Sequence, residues 1–556
     1  MNKESPSLGR RAFSMAWVTG VSRLFGLVRS QFMAGLLGAT GIGDAFNIAF
    51  RFPNLLRRLF AEGAMSSGFV PVFTRLVEKE GPQSAQRFFS RIFALLATIL
   101  VVLTILVIAI APWIIDFYYA GQAGGSPEER RLAILLFRLM FPYLLFVSLA
   151  AILQGVLNTH HEFSIPAAAP IFFNVFVIGS ALAYLAFYRG QLTQARAVFL
   201  AVGVVLGGVA QLGVQVPWLM RHGYRLGFDF HWKDPQVARF LTLVLPTIFS
   251  AGVYQLNAML VDPLAVAVGE GALSAIQYSI RLQEFPLGMV VVSLATVSLP
   301  VFSRHVATGD REALHHEIRR TLALTSLTML PVMLFSFFFA REIIRLVYGM
   351  GAFDARAVAL TGACFSFHIA SIWFIGFSRV LTNVFFANQD TRSPLWVSLA
   401  GLVSNVGFAV LLTRVLPWGV AGIAMAGGLS ALAMAVLYAI LLARRGHPFV
   451  NGAFLLLHFK VLAALLAPAA ALWAIRSQVP GVLEAWAFPQ RFPPFWAGKL
   501  RDGLLIGFAT LALFVSYGGA LLLLRVREVG DLWAKARGKI PGLALLGRAR
   551  KDTFRP

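Results

Sequence analysis

The sequence has a single cysteine, Cys364, and few charged residues for its length. Lys, Arg, Asp and Glu make up 13% of the 556 residues, whereas 58% are hydrophobic and the mean hydropathy is +0.74. A single cysteine excludes an intramolecular disulfide. So few charges cannot keep the surface of a soluble protein of this size in water. The composition therefore excludes a soluble globular protein and predicts an integral membrane protein.

Acidic residues are also scarce, since 25 Asp and Glu stand against 48 Lys and Arg, a net charge of +23. In a soluble protein this excess would suggest nucleic acid, but its distribution between loops and apolar segments does not, and we expect no nucleic acid partner. The chain lacks the phosphate-binding pattern GxxxxGK[ST], so we expect no ATP hydrolysis. "HHE" occurs at 160–162 and 315–317 without further ligands that would complete a metal site. We therefore expect no metal, no cofactor, no catalytic residue and no enzymatic activity.

Long apolar runs recur along the whole chain, and each can cross a hydrocarbon core of about 30 Å as a helix. The basic start of the chain resembles a signal peptide, but Arg23 and Arg29 interrupt its apolar stretch, so we interpret it as the first span. The sequence predicts an all-α polytopic membrane protein with about fourteen transmembrane helices, near residues 13–37, 42–76, 90–115, 132–157, 165–187, 197–220, 237–267, 273–303, 320–347, 357–387, 395–413, 419–443, 455–475 and 502–524.

The distribution of basic residues predicts the orientation in the membrane. Fourteen spans put both termini on one side, where the segments contain 27 Lys and Arg, against 10 in the loops of the other side. Because cytoplasmic loops carry the excess of basic residues, both termini are predicted to be cytoplasmic. The basic tail, 527–556, is expected to lie against anionic lipids of the inner leaflet.

Short sequence matches recur at nearly one offset. "FVPVFTRLVEKEG" (69–81) matches "SLPVFSRHVATGD" (298–310), and "LNTHHEFSIP" (157–166) matches "FFANQDTRSP" (385–394). Chance similarity of apolar sequence is the alternative. The matches predict a duplicated unit of six spans, and an even number of spans makes the two copies parallel.

This duplication predicts how the chain is divided. Two parallel six-helix lobes would leave a central cavity between them. The last two spans and the tail lie outside the duplication. The predicted divisions are an N-lobe over 1–222, a C-lobe over 223–447, spans thirteen and fourteen over 448–526, and the tail over 527–556.

Several ionisable residues lie inside the predicted spans. An arginine at the bilayer centre costs several kcal/mol unless it faces water, a partner or a substrate. The planar donor fork of arginine suits phosphate oxygens, so an arginine cluster at a cavity predicts an anionic, phosphorylated cargo. The candidate substrate-binding residues are Arg23, Arg29, Asp44, Arg51, Arg57, Arg58, Glu62, Arg281 and Glu284.

Structural explanations compete with this one. Arg57 and Arg58 lie near a predicted span end, where long side chains reach the headgroup region. Asp44 and Arg51 are seven residues apart and can form an ion pair on one helix face. Asp262, in the seventh span, can bind a coupling cation or make a structural pair, and the sequence favours the pair.

The segment "SRLFGLVRSQFMAGLLGATGIGDAFNIAFRFPNLLRRLFAEGAMSSGFVPVF" closely resembles the N-terminal signature of the MurJ (MviN) family of lipid II flippases, within the MOP exporter superfamily. "LNTHHEFSIPAAAPIFFN" and "RLQEFPLGMV" also resemble motifs of that family. The similarity covers roughly the first 440 residues. It implies two lobes around a cationic cavity and a hydrophobic groove, formed by the last two spans, for a lipid tail.

The resemblance also implies the function. The cargo would be lipid II, undecaprenyl-pyrophosphate-disaccharide-pentapeptide, moved from the inner to the outer leaflet of the bacterial cytoplasmic (inner) membrane by alternating access. Because the cavity and the cargo carry charge, coupling to the membrane potential or to a monovalent cation is expected, and the sequence does not distinguish the two. Residues that correspond to the cavity arginines and acidic positions of the family are Arg23, Arg29, Arg57, Arg281, Asp44, Glu62 and Glu284.

Two other functions are compatible with parts of the sequence. A flippase of the same superfamily for another polyprenyl-linked glycan, an O-antigen or capsule precursor, would need the same phosphate-binding arginines. An integral-membrane glycosyltransferase would need an acidic catalytic group at the membrane face. The predicted outer loops are short, and the longest of them offers only Glu484, so the sequence disfavours the enzyme.

Overall fold

A computed structural model describes residues 8–59, 68–120, 126–188, 193–485 and 493–526. Within these ranges the chain forms helices joined mostly by short turns, with a longer non-helical segment over 222–234, and none of the described residues lies in a β-strand. The all-α fold class is therefore confirmed. The helices divide into two compact units, and α12 passes from the first unit to the second after Tyr278.

The first unit contains residues 1–278, 347–361 and 409–423. Its core is rich in phenylalanine, and the rings of Phe69, Phe73 and Phe88 stack on one another. Its helices are Leu8–Leu37 (α1), Gly41–Arg57 (α2), Val70–Lys79 (α3), Pro82–Ala109 (α4), Ala111–Tyr119 (α5), Pro127–Met140 (α6), Tyr143–Thr159 (α7), Ser164–Tyr188 (α8), Ala195–Gly213 (α9), Val216–Arg221 (α10) and Pro235–Val268 (α11).

The second unit contains the remaining residues. Its apolar clusters join the last two long helices to its other helices, with Tyr517 and Val461 packed against Leu330. The helices from the junction onward are Ala272–Pro286 (α12), Val292–Thr308 (α13), Arg311–Phe338 (α14), Ala340–Tyr348 (α15), Ala355–Ala387 (α16), Arg392–Val410 (α17), Gly419–Arg444 (α18), Gly452–Ala464 (α19), Leu466–Ala485 (α20) and Pro494–Leu523 (α21).

Side-chain caps explain several of the helix starts. The hydroxyl of Thr40 accepts a hydrogen bond from the N–H of Gly43, and carboxylates or amides of Asp234, Asp310 and Asn451 cap later helices in the same way. The first N–H groups of a helix have no intrahelical acceptor, so such side chains define where each helix begins.

Eleven helices of the described residues are long and apolar enough to cross a membrane. Each overlaps one of the fourteen predicted spans. The other three predicted spans, near 13–37, 42–76 and 237–267, correspond to α1, to α2 with α3, and to α11. A multi-pass membrane protein is confirmed, whereas the count of fourteen stays a prediction.

The helix boundaries recur at the offset of the sequence matches. α4 begins at Pro82 and α14 at Arg311, 229 residues later. The turn that precedes α8 contains His161, with a φ of 61°, and the corresponding turn before α17 contains Gln389, with a φ of 57°, 228 residues later. Left-handed backbone is uncommon outside glycine, so its recurrence supports the duplication. The predicted domain boundaries stay a prediction.

Candidate functional site

Asp44 lies in the first turn of α2 and is 4% exposed. Its carboxylate accepts hydrogen bonds from the backbone N–H groups of Gly271, at 2.8 Å, and Ser274, at 2.7 Å. These donors lie at the start of α12, where backbone N–H groups have no acceptor in their own helix. The negative charge also interacts favourably with the positive end of the helix dipole. Asp44 therefore caps α12.

The contact between the starts of α2 and α12 requires small residues. Gly271 has a φ of +80°, and a Cβ there would meet the backbone carbonyl of Ala39. Asn47, one turn after Asp44, donates hydrogen bonds to the carbonyl of Gly43 at 2.9 Å and to the hydroxyl of Ser274 at 3.0 Å. The first half of α2 is thus fixed by polar contacts that need a close backbone approach.

Arg51 pairs with Asp262 of α11 rather than with Asp44. The Arg51 Nε lies 2.7 Å from the Asp262 Oδ2, and the side chain of Asp262 is only 6% exposed. Arg51 also donates to the side-chain oxygen of Gln277 at 3.4 Å. Both partners come from distant parts of the sequence in the same unit. Arg51 therefore neutralises a buried carboxylate.

The end of α2 has different surroundings. Pro53 lies inside the helix, and α2 ends at Arg57. The Nε of Arg57 donates to the Oδ1 of Asn54 at 3.3 Å, and the side chain lines a cavity of about 590 Å³ within the first unit. Arg58 is half-buried. Glu62 lies outside the described residues, so its position stays a prediction.

The first helix carries Arg23 and Arg29 with different exposure. Arg23 is exposed, and Arg29 is half-buried. The Cζ of Arg29 lies 5.2 Å from the centroid of the Phe173 ring on α8, which is within cation–π distance. The neighbouring Asn174 donates to the carbonyl of Ser22 at 3.4 Å and so joins α8 to α1.

Arg281 and Glu284 lie on α12, in the part that belongs to the second unit. Arg281 is half-buried and Glu284 is exposed. On either side of Arg281, Ser279 and Gln283 are buried and bonded to α16. The Ser279 hydroxyl lies 2.6 Å from the Nδ1 of His368. The Gln283 Nε2 donates to the backbone carbonyl of that histidine at 2.6 Å and to Ser371 Oγ at 2.8 Å.

These contacts fix the rotation of α12 and hence the direction of Arg281. The sequence analysis missed Ser279, Gln283 and His368. The sequence did contain a signal for the first two, because Ser279 and Gln283 are polar residues two positions on either side of Arg281 in an apolar helix. The sequence analysis also missed the partners of Asp44 and Arg51, because no local pattern connects residues more than 200 positions apart.

The two "HHE" segments do not assemble a metal site in the described part of the chain, which contains no group of three or more His, Cys, Asp or Glu side chains in a metal-binding arrangement. The Nε2 of His160 lies 3.1 Å from the hydroxyl of Tyr224. Burial lowers the pKa of His160, and the neighbouring His222 lowers it further. His315 lies near His447, with 3.4 Å between ring nitrogens.

The chain is similar to known membrane transporters along most of its length. Among solved structures, a lipid II flippase MurJ in an inward closed conformation aligns with a TM-score of 0.70 and 22% identity, over 92% of this chain and 98% of that chain. An inward-facing multidrug resistance MATE transporter of the MOP superfamily aligns with a TM-score of 0.64 and 14% identity, over 79% and 98%. These similarities show a shared fold.

The sequence comparisons are more specific. A probable lipid II flippase MurJ from Rhizobium tropici is 35% identical over 442 residues, which are 79% of this chain and 82% of the relative. The model of the family described as "Lipid II flippase MurJ" matches residues 33–487, which include Asp44, Arg57 and Arg281. The chain belongs to the lipid II flippase MurJ family.

Proposed function

We propose that this protein moves lipid II from the inner to the outer leaflet of the bacterial cytoplasmic membrane. The observation that carries the proposal is the family match over residues 33–487, which runs through both halves of the predicted repeat. Eleven long apolar helices support a multi-pass protein of the inner membrane. A flippase makes and breaks no covalent bond, so the protein is a transporter and not an enzyme.

We infer that the pyrophosphate of the cargo is bound by arginines. Arg29, Arg57, Arg58 and Arg281 are half-buried, and Arg23 is exposed. Guanidinium groups bind phosphate oxygens through paired, charge-assisted hydrogen bonds. Arg51 differs, because its pairing with Asp262 gives it a structural role in the described conformation. Asp44 caps α12, and Glu62 and Glu284 remain proposed acidic members of the site.

Alternating access is the proposed mechanism, with the prenyl chain kept in the lipid and the headgroup carried through the protein. The groove for that chain is proposed to lie on α19–α21. Both termini are proposed to be cytoplasmic, on the distribution of basic loops. Because protein and cargo are charged, the membrane potential can drive the transition, at about 2.3 kcal/mol per charge per 100 mV. A monovalent cation is the other proposed source of energy.

Rapid depletion of the protein tests the function. We expect lipid II to accumulate in the inner leaflet and cells to lyse, with lipid II located by a probe that cannot cross the membrane. The alternative, a flippase for an O-antigen or capsule precursor, is favoured by the same arginine chemistry. It would give intact cells that lack surface polysaccharide and have normal lipid II.

Single substitutions test the arginine site separately. Arg29→Ala or Arg281→Ala is expected to abolish complementation of a depletion strain while the protein still inserts normally. Arg91→Ala is a matched control, because that arginine pairs with Asp229 and Asp234 and has no proposed contact with the cargo. Complementation by either stably inserted site variant would contradict the assignment.

A further inference from the structure

The cavity beside Arg57 is lined by amide side chains. It lies within the first unit, among α3, α7, α8 and α9, with a volume of about 590 Å³. Small ligands bind in cavities of about 300–1,000 Å³. Its apolar wall is formed by alanines of α7 and α8 and by two prolines of α8. The polar lining residues are Arg57, Gln154, Asn158, Gln211 and Gln215.

The four amides come from two helical segments with the same spacing. Gln154 and Asn158 are four residues apart on α7. Gln211 lies on α9, and Gln215 lies four residues later, in the helical turn between α9 and α10. Side chains four residues apart lie on one face of a helix, so each segment presents a pair of amides to the cavity. Gln154 is exposed and Asn158 is half-buried. The cavity is therefore accessible.

Gln211 and Gln215 are buried, with 8% and 2% exposure. The Nε2 of Gln215 donates to the backbone carbonyl of Gln211 at 3.0 Å. The Oε1 atoms of both side chains are buried and accept no hydrogen bond from any residue that the structure describes. A buried polar atom without a partner costs about 1–3 kcal/mol. Both glutamines line the cavity, so a ligand with donor groups that enters it is a candidate partner for these two acceptors.

The lining chemistry restricts the ligand. Among the residues that the structure describes, no carboxylate lines the cavity, and Arg57 contributes a positive charge, so a cation is disfavoured. A bare phosphate would bind Arg57, but its ionised oxygens accept hydrogen bonds and do not donate them to the amide oxygens. Hydroxyl and acetamido groups of a sugar donate to such acceptors, and the C–H faces of a sugar pack against alanine and proline.

We propose that this cavity binds the sugar part of the lipid-linked cargo, while Arg57 binds the adjacent pyrophosphate. This inference rests on the proposed function and extends it. The amides of α7 and α9 would then distinguish a glycosylated lipid from the bare polyprenyl pyrophosphate. The protein would prefer a cargo whose headgroup is complete.

The test compares two lipids on the full-length protein in nanodiscs, with affinities measured by native mass spectrometry. One is lipid II, and the other is undecaprenyl pyrophosphate, which has neither sugar nor peptide. Gln211→Leu and Gln215→Leu are each expected to weaken lipid II binding about 3- to 10-fold, the effect of one lost hydrogen bond. Binding of undecaprenyl pyrophosphate is expected to stay unchanged. The melting temperature of Gln211→Leu should not fall, because its Oε1 accepts no hydrogen bond within the described protein. Gln215→Leu also loses the hydrogen bond from its Nε2 to the Gln211 carbonyl, so its melting temperature is measured beside its affinity.

A matched control is Gln86→Leu. The amide of Gln86 is bonded at both ends within the protein, to Ser90 and to the backbone of Arg225. This variant should leave the affinities for both lipids unchanged. A third lipid, the pyrophosphate-linked disaccharide without its peptide, separates the sugar from the peptide and should show the same loss as lipid II.

The outcomes are distinguishable. Equal losses for lipid II and undecaprenyl pyrophosphate, or no loss for lipid II, would overturn the sugar site and leave the proposed function standing. A loss that disappears with the peptide-free lipid would also overturn it. Failure of the unsubstituted protein to bind lipid II would overturn both proposals.

Discussion

Two arginines of α2, one near its middle and one at its end, have different surroundings. Near the middle of the helix, Arg51 lies 2.7 Å from the buried carboxylate of Asp262. After Pro53, Arg57 donates to the neutral side chain of Asn54 and lines an amide-rich cavity. Arg51 thus neutralises a buried carboxylate, whereas Arg57, six residues later, lines a cavity large enough for a ligand.

This difference shows that an arginine in an apolar span has more than one explanation. A buried arginine is stable when a carboxylate compensates it, and its removal then leaves that carboxylate alone in a medium of low dielectric. An arginine that lines a cavity can instead contact a substrate's phosphate. The first kind should affect stability when substituted, and the second should affect transport.

The largest effect is expected from Arg57→Ala, which should reduce lipid II transport by about 100-fold, because two charge-assisted hydrogen bonds to phosphate are lost. Arg57→Lys should retain part of the activity, since it keeps the charge but not the paired donors. Transport is measured with a leaflet-resolved lipid II assay in cells that express only the variant. Normal transport by Arg57→Ala, at equal protein levels, would remove the distinction between the two arginines.

The opposite result is expected for Arg51→Ala. This variant removes the arginine that neutralises the buried Asp262 and should lower the free energy of unfolding by about 3 kcal/mol. The double variant with Arg51→Met and Asp262→Leu should recover most of that loss, because an apolar pair replaces the ion pair without leaving a charge. Thermal unfolding in detergent measures both. If the double variant were no more stable than Arg51→Ala, the pair would not be the source of the stability.

A smaller loss, about 1–2 kcal/mol, is expected from Asp44→Asn. The carboxylate accepts two N–H groups at the start of α12, whereas an amide offers one oxygen and no charge. Thermal unfolding again measures the loss, and Asn47→Ala is the matched control, because it removes a neutral hydrogen bond to Ser274 from the same contact. Should Asp44→Asn cost less than this control, the charge would not contribute to the cap.

Much of the fold could be predicted from the sequence, because each helix is encoded locally. Apolar runs and capping residues determine where helices begin and end, and every predicted span overlaps a helix of the structure. The predicted duplication rests on the segments at 69–81 and 298–310, and the left-handed turns at His161 and Gln389 follow nearly the same offset. Both signals are short-range, so one sequence is sufficient to detect them.

The site was less predictable, because its contacts are long-range. Asp44 and Arg51 were natural partners on one helix face, yet each is bonded to a residue more than 200 positions away. Gln211 and Gln215 were unmarked within an apolar span, although their spacing puts both on one face. The sequence indicated which residues are polar within the membrane, but only the packing of helices distinguishes a bonded amide or arginine from one that lines a cavity.

The smallest effect is expected at a third arginine, Arg91, which forms a surface ion pair. Its Nε donates to Asp229 at 2.8 Å, and the side chain of this aspartate is 23% exposed. Hydrogen bonds from the backbone and ring of His231, and then the contact with Arg91, lower the pKa of Asp229 to about 2.

Because folding lowers this pKa, Asp229 stabilises the protein above its usual titration range near pH 4, and the contribution disappears as the pH falls through about 2. Asp229→Asn should therefore lower the stability at pH 7 by less than about 1 kcal/mol, since solvent and salt screen a partly exposed pair. The difference from the unsubstituted protein, measured by thermal unfolding, should shrink in high salt and vanish only below pH 2. A loss at pH 7 as large as that of Arg51→Ala would mean that burial does not separate structural arginines from surface ones.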